Sequence, residues 1–369
     1  MRFGVYIHFP WCRKRCPYCD FAIVVSKEGP AHQEYLAAIL RELEFRAEQF
    51  AGKTLVSIYF GGGTPSIWDP ECIATLISTL RQRFDAEHAD IEISLECNPT
   101  DCVPERFAAW KKAGVNRLLV GVQATNQQDL VTLGRDHSMG DGVHALEKVL
   151  NEEFRSVGAD VILGVPGSRD PLASLKQVAQ MAPPHLSVYE LTIEERTAFA
   201  KMVRSGDLLP EDEDRLAELY TAVDEHLCSA GYEHYEVSSY AQKGHRSRHN
   251  SLYWQAESYL GLGNGAASLW VGHQGEAKRW QNKRSSHRYL LGDASQHADS
   301  AEEISPLAFQ QERLWLSMRT SDGAPIDWFE AEGTIEELLR HRLAKEEGGR
   351  LRPTLRGFLY NNQIMRILG

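Results

Sequence analysis

The chain has 369 residues, 43% of them hydrophobic and 25% charged, with a formal net charge of −11 at pH 7. That length supports one large barrel or two domains, and the acidic balance argues against broad nucleic-acid binding, which needs a basic surface. No apolar run of about 18 residues appears, so no membrane-spanning helix is expected; the start, MRFGVYIHFPWC, lacks a signal peptide's apolar core and cleavage site, which makes the cytoplasm the expected compartment.

The first two-thirds reads as strands alternating with helices. FGVYIHF is a first strand, and AHQEYLAAILRELEFRAEQF carries apolar residues at helical spacing. VSIYFGGG is a second strand ending in glycines, followed by a helix, PECIATLISTLRQRF, with proline in its first turn. ADIEISLECNP is a third strand broken by Asn98 and Pro99; PERFAAWKKAG is a helix with a glycine stop; RLLVGVQ is a fourth strand. VGADVILGVPG is a fifth, LASLKQVAQM a helix, and HLSVYELTI a sixth strand. Parallel connections need crossovers, so the alternation predicts a parallel sheet. The strands look like short apolar runs, as expected when both faces are covered. Polar or glycine-rich motifs follow nearly every strand, which favours a barrel-like arrangement whose strand ends converge.

PEDEDRLAELYTAVDEHLCSAG is a long amphipathic helix with acidic residues at its start, where the helix dipole favours them. Beyond about residue 245 the pattern changes. HNSLYWQAESYLGLGNGAASLW is aromatic and glycine-rich without a clear period, and residues 272–304 are polar and read as loops. SPLAFQQERLWLSMRT, TIEELLRHRLAKEEGG and RGFLYNNQIMRIL are expected helices, with RLRPT as a candidate wing strand. The expected division is 1–240 for the barrel, 241–304 for a connecting segment and 305–369 for a small, mostly helical domain.

Seven cysteines in a chain without export signals argue against a disulfide framework. Cys72 and Cys228 are expected to be small buried hydrophobes within helices, and Cys97 and Cys102 to be structural. Cys12, Cys16 and Cys19 differ, because they lie within eight residues in YIHFPWCRKRCPYCDF. Thiolates bind soft metals, so zinc and an iron–sulfur cluster compete. Structural zinc takes four ligands, and the nearest candidates for a fourth, His8 and Asp20, are awkward. Three thiolates on a cubane cluster would leave one iron open for a small molecule. Arg13, Lys14 and Arg15 would favour the thiolate form.

The C-x3-C-x2-C spacing, with Tyr18 just before the last cysteine and GGGTP after the second strand, resembles the radical S-adenosylmethionine (SAM) superfamily. That resemblance implies a partial (β/α)6 barrel, a [4Fe–4S] cluster on Cys12, Cys16 and Cys19, and SAM bound at the open iron. An electron from the cluster would then cleave a C–S bond to give a 5′-deoxyadenosyl radical, which would require an electron donor. Further residues match the coproporphyrinogen oxidase-like subgroup: Tyr6, Gly62, Gly63, Thr64, Glu96, Gln123, Arg135 and Asp160. The resemblance implies that these contact SAM, the carboxylates on ribose hydroxyls and the arginine on the methionine carboxylate.

Within the subgroup, the oxygen-independent oxidases carry a further cysteine two places after the third; here Phe21 stands there. C-D-F at this point and HNSLYW at 249–254 resemble instead the subgroup's heme chaperones. That implies heme near His249, with Tyr253 and Trp254 against the porphyrin and an acceptor apo-hemoprotein as partner. Asn264 and Ala267 stand where such proteins often have proline and histidine, and GVQATN lacks the usual Ser-Phe after Gln123. The alternative readings are an oxidase-like enzyme and a methyltransferase that uses two SAM molecules. A homodimer is a candidate assembly.

Overall fold

The computed structural model describes residues 1–331 and 333–369. Six parallel strands pair in chain order: β1 (Arg2–Phe9), β2 (Thr54–Gly62), β3 (Glu92–Cys97), β4 (Arg117–Gln123), β5 (Ser156–Leu163) and β6 (His185–Glu190). The crossovers carry α1 (His32–Arg46), α2 (Pro70–Arg83), α3 (Pro104–Ala113), α4 (Gln127–Thr132), α5 (Asp141–Leu150) and α6 (Ala173–Gln180). Proline opens α2 and α3, where a missing N–H costs nothing, and Gly114 ends α3 at φ 101°. Among the described residues β6 does not pair with β1, so the barrel is partial. The short α4 and α5, between β4 and β5, escaped the sequence reading.

Both faces of the strands are covered, as expected, but they differ in chemistry. Phe3, Val5, Ile7 and Phe9 of β1 and Ile58 and Phe60 of β2 are fully buried against the helical layer, with Ile93 and Leu95 of β3. The opposite face is read from the register. Gly4 pairs with Ser57 and Ser57 with Glu92; Tyr6 pairs with Tyr59 and Tyr59 with Ser94; Asp160 pairs with Ser187. Directly paired residues of parallel strands share a face, so the concave interior is polar and aromatic. Its polar residues Ser57, Ser94, Glu92 and Ser187 are themselves buried, so the runs are two-sided in burial while alternating in polarity.

The segment expected to be a connector and loops is instead part of the sheet. β7 (Glu233–Glu236) and β8 (Ser239–Ala241) extend it antiparallel beyond β6; β9 (Ser258–Leu262) runs parallel to β1, and β10 (Ala267–Val271), β11 (Ala277–Asn282) and β12 (Ala298–Ile304) follow antiparallel. β12 reads as loop because it is an edge strand bearing Asp299, Glu302 and Glu303. Charge on an edge blocks further pairing, and Arg279 faces Glu302 across the strand pair. Between these strands lie α7 (Ala198–Ser205), α8 (Glu213–Ser229), α9 (Arg248–Trp254) and α10 (Ser286–Leu291). Cys228, expected inside, is exposed near the end of α8.

The C-terminal part has its own core of Leu314, Met318, Leu338, Leu343, Leu351 and Ile364. It consists of α11 (Pro306–Ser317), β13 (Ala324–Pro325), α12 (Thr334–Arg340), β14 (Ala344–Glu347), β15 (Arg350–Pro353), α13 (Leu355–Leu359) and α14 (Asn361–Leu368). The helix expected over 334–349 stops early: Arg342 takes φ 55°, which no helix continues through, and AKEE becomes a strand paired with RLRP.

Candidate functional site

The cysteine loop leaves β1 at the C-terminal edge of the sheet. Its neck is closed by Cys12 N–H to the Val24 carbonyl (2.9 Å) and Val24 N–H to the Pro10 carbonyl (2.8 Å). Arg13 donates twice to Asp101, at 2.6 and 3.1 Å, and Asp101 also accepts from Ser66 Oγ at 2.6 Å. Arg15 donates to the Ile23 carbonyl at 2.9 Å. Arg13 and Arg15 therefore fasten the loop, and the Arg15 charge also favours the Cys19 thiolate, as expected. A further cation not expected at the sulfurs is Arg135, whose Nη1 lies 3.8 Å from Cys16 Sγ, while Thr64 Oγ1 donates to Cys12 Sγ at 3.4 Å.

Burial pushes the Cys12 thiol up to about 11, partly offset by the Thr64 hydroxyl, and raises Cys19 as well. Metal uptake must displace these protons, so it is coupled to pH. Among the described residues no three His, Cys, Asp or Glu side chains converge where a single ion would sit.

The three thiols edge a cavity of ≈ 340 Å³ at the C-terminal ends of the strands. Gly62, Gly63, Thr64, Glu96, Gln123, Arg135 and Asp160 also line it, so ten of the eleven residues expected to hold cluster and SAM meet there. Tyr6 lies outside that lining, with its hydroxyl 3.2 Å from His8 Nδ1. Gly62 has φ 105°, and a Cβ on it would meet the His8 ring. Gln123 takes φ 64°, an uncommon conformation for a side-chain-bearing residue, and so turns the chain at the cavity wall.

Among the described residues, two buried polar atoms of the lining, Arg135 Nε and Asp160 Oδ1, have no hydrogen-bond partner. Buried polar groups are ordinarily paired, so a ligand offering both an acceptor and a hydroxyl donor fits the site. Arg135 is held by the Gly121 carbonyl (3.3 Å) and Asn98 Oδ1 (3.4 Å). Asn98 donates to Asp136 at 2.9 Å. These partners, with Asp101 and Tyr59, were missed as site residues. Asn98 in ECNP carried the one visible signal, a polar break after a strand.

Burial raises Glu96 to about 7, against the hydrogen bond from Tyr59 Oη (2.7 Å), with the Asp160 charge also raising it. Asp160 rises to about 6 by burial. A carboxyl raised on folding favours the fold below its unfolded pKa, and that contribution is lost as pH climbs through the folded value. Glu96→Gln is therefore expected to stabilise the ligand-free protein by about 2 kcal/mol at pH 8 and by nearly nothing at pH 4. Urea unfolding at both pH values measures this, and equal effects would contradict it.

The heme candidates His249, Tyr253 and Trp254 do not line the cavity. They lie on α9, packed at the opposite ends of the strands: the His249 and Arg248 amides donate to the two carboxylate oxygens of Glu92, the first residue of β3. His249 is buried and both ring nitrogens are engaged, Nδ1 with Ser57 Oγ and Nε2 with Tyr253 Oη, each at 2.8 Å. It stacks on Tyr59 at 5.0 Å. Both His249 ring nitrogens thus face hydroxyls, so ligation of heme iron there would require the Ser57 or Tyr253 hydroxyl to turn away. Asn264 is also structural: it accepts from Tyr35 Oη and donates to the Ala22 and Arg284 carbonyls. Ala267 begins β10.

The family described as the radical SAM superfamily matches residues 6–173. A heme chaperone HemW of Mycobacterium tuberculosis is 35% identical, the likeness covering 99% of this chain and 94% of that protein. The heme chaperone HemW of Escherichia coli is 32% identical over 92% of this chain and 89% of its own length. In fold, the radical SAM enzyme coproporphyrinogen III oxidase (HemN) of E. coli superposes with a TM-score of 0.81, covering 100% of this chain and 90% of that one at 22% identity.

Proposed function

We propose that this chain, which belongs to the HemW family of the radical SAM superfamily, is a heme chaperone that binds heme and passes it to an acceptor hemoprotein. The observation that carries the reading is likeness to two HemW proteins over nearly the whole chain, beyond the matched barrel segment. The oxidase alternative has only a shared fold behind it, and Phe21, 60% exposed beside the cysteines, fills the place of the oxidases' extra thiol.

The cofactors are a [4Fe–4S] cluster, SAM and heme. Cys12, Cys16 and Cys19 would hold the cluster; Gly62, Gly63, Thr64, Glu96, Gln123, Arg135 and Asp160 would face SAM, with Tyr6 behind them. When bound, cluster and SAM supply one-electron chemistry. The residues present suit them. Arg135 offsets thiolate charge, Thr64 donates to Cys12, and the glycines let backbone approach closely. Glu96 and Asp160 accept hydrogen bonds best when ionised, so SAM binding should weaken as pH falls through about 7 and then about 6. An electron donor would be needed if SAM is cleaved, and a homodimer and a cytoplasmic location complete the reading; among the described residues no helix is long and apolar enough to cross a membrane.

The test is a hemin titration of the cluster-loaded chain, followed by mixing with an apo-hemoprotein. A saturable Soret band that moves to the acceptor is expected. No heme binding, or repeated turnover of SAM into a modified porphyrin or methylated product, would replace the chaperone reading.

A further inference from the structure

The HNSLYW stretch carries a buried histidine at the end of the barrel away from the cavity, and what that ring touches is informative. A Cβ on Gly4 would lie 2.6 Å from Ser57 Oγ and 3.0 Å from His249 Nδ1, so the bare backbone there lets α9 press close to the sheet. Ser57 and Tyr253 then hold the ring at its two nitrogens, each at 2.8 Å. Glu92 accepts the Arg248 and His249 amides at 3.1 and 3.0 Å and so fixes the start of the helix. The orientation of this imidazole is therefore set from both sides.

The flat face of the ring lies against Tyr59, with centroids 5.0 Å and planes 26° apart. Tyr6 packs on both, 6.1 Å from Tyr59 and 6.5 Å from His249. Tyr59 Oη in turn donates to Glu96 Oε1 at 2.7 Å, and among the described residues Tyr59 is the one side chain that donates to this carboxyl. A Cβ on Gly61 would meet the Tyr59 ring at 2.9 Å, Glu96 Oε1 at 3.0 Å and the Tyr6 ring at 3.1 Å, so these three groups fill one gap above the backbone. Glu96 lines the cavity. Contacts thus run without a break from α9, through the stacked rings, to a carboxyl at the opposite ends of the strands.

We propose that His249 is a positioning residue for the SAM site: its ring holds Tyr59 in place, so that the Tyr59 hydroxyl keeps Glu96 aimed into the cavity. The proposal rests on the reading that Glu96 faces SAM, and it gives the histidine of HNSLYW a role apart from iron. Burial lowers His249 to about 3 and keeps the ring neutral, so it acts by packing rather than by charge. Glu96 is faced by Tyr6 of β1, Tyr59 of β2, Asp160 of β5, Tyr189 of β6 and Tyr253 of α9, while its register partner on β4, Leu119, is apolar. Burial pushes all four phenols up, which keeps them neutral. Asp160, itself subject to the Arg117 and Arg135 charges, opposes ionisation of Glu96, and the Tyr59 bond favours it. Loosening Tyr59 therefore moves the Glu96 titration upward.

Carbon-13 NMR of the glutamate carboxyls in the ligand-free chain, with Glu96→Gln identifying the signal, reads the Glu96 midpoint, which is expected near 7 in the parent. Equilibrium dialysis reads SAM affinity of the cluster-loaded chain. His249→Ala and Tyr59→Phe are each expected to raise the midpoint by about one pH unit and to weaken SAM binding about tenfold at pH 7, the worth of one hydrogen bond to a charged group. His249→Phe loses both nitrogen bonds but keeps a ring against Tyr59, so it should share the stability loss of His249→Ala and retain the parent midpoint; equal midpoints in the two variants would overturn the stacking link. Ser57→Ala removes one of the two bonds on the ring and carries the test if His249→Ala fails to fold, with a smaller rise in the midpoint expected. If the parent chain binds SAM and His249→Ala and Ser57→Ala match it in midpoint and affinity, His249 has no part in the site and the SAM reading stands. If the parent chain binds no SAM, the reading that Glu96 faces SAM fails, and the proposal with it.

Discussion

Cys16→Ala, reconstituted anaerobically with iron and sulfide, will carry iron near background, whereas the parent chain should take up about four per chain. Three thiols on one loop edge the cavity, and Arg135 sits 3.8 Å from Cys16 Sγ, in place to balance charge on that sulfur. Removing one leaves two attachment points and an arginine facing no thiolate. The fold should survive, because the loop is fastened by the Trp11–Val24 bridge and the Arg13–Asp101 pair, neither of which involves Cys16. Circular dichroism and unfolding should therefore be close to those of the parent while iron content collapses. Cys228→Ala, on the exposed end of α8, should keep its iron. A full cluster in Cys16→Ala would remove the three-thiol site.

The second large effect concerns the loop after β2. Gly63→Ala should destabilise the protein by about 2–3 kcal/mol, the upper part of the range for inserting atoms into a packed site. A Cβ at Gly63 would sit 2.7 Å from the Trp11 carbonyl oxygen and 2.8 Å from that of Phe9. These are backbone atoms, so no side chain can rotate away. The same carbonyls accept the Thr64 and Gly63 amides, at 2.9 and 2.7 Å. The clash therefore pushes the glycine loop off the cysteine loop, and SAM binding should be lost along with stability. Gly52→Ala is the comparison: nothing lies within 4 Å of its Cβ and only its φ of 74° is strained, so about 1 kcal/mol is expected. Urea unfolding with equilibrium dialysis of SAM measures both. Equal costs at the two glycines would show that the loops are not locked together.

Much of this site was legible along the chain because its chemistry is local. Cys12, Cys16 and Cys19 share one loop, and Gly62, Glu96 and Gln123 lie at or beside strand ends, where a run of apolar residues stops. Arg135 is different. It lies beyond α4, far from any strand end, and only the fold brings it to Cys16. Asp101 was invisible for the same reason, since its partner Arg13 is 88 residues away. The edge strand β12 looked like a loop because an exposed edge needs charge rather than apolar alternation.

His249 marks the sharpest difference between motif and structure. Its neighbours in sequence, Tyr253 and Trp254, suggested a porphyrin face, yet its actual partners are Ser57, 192 residues away, and Tyr253 one helical turn on. His297, in a stretch with no motif, is buried with no well-formed hydrogen bond among the described residues. The order of residues by itself determined the strand–helix alternation, the thiol spacing and the glycine loop, since each depends on backbone conformation or on groups a few residues apart. Which charges meet the thiols, which imidazoles keep a free nitrogen and which polar strands join the sheet were decided by tertiary packing. Hydrogen bonding and desolvation act between whatever groups the fold makes neighbours, and sequence distance does not enter them.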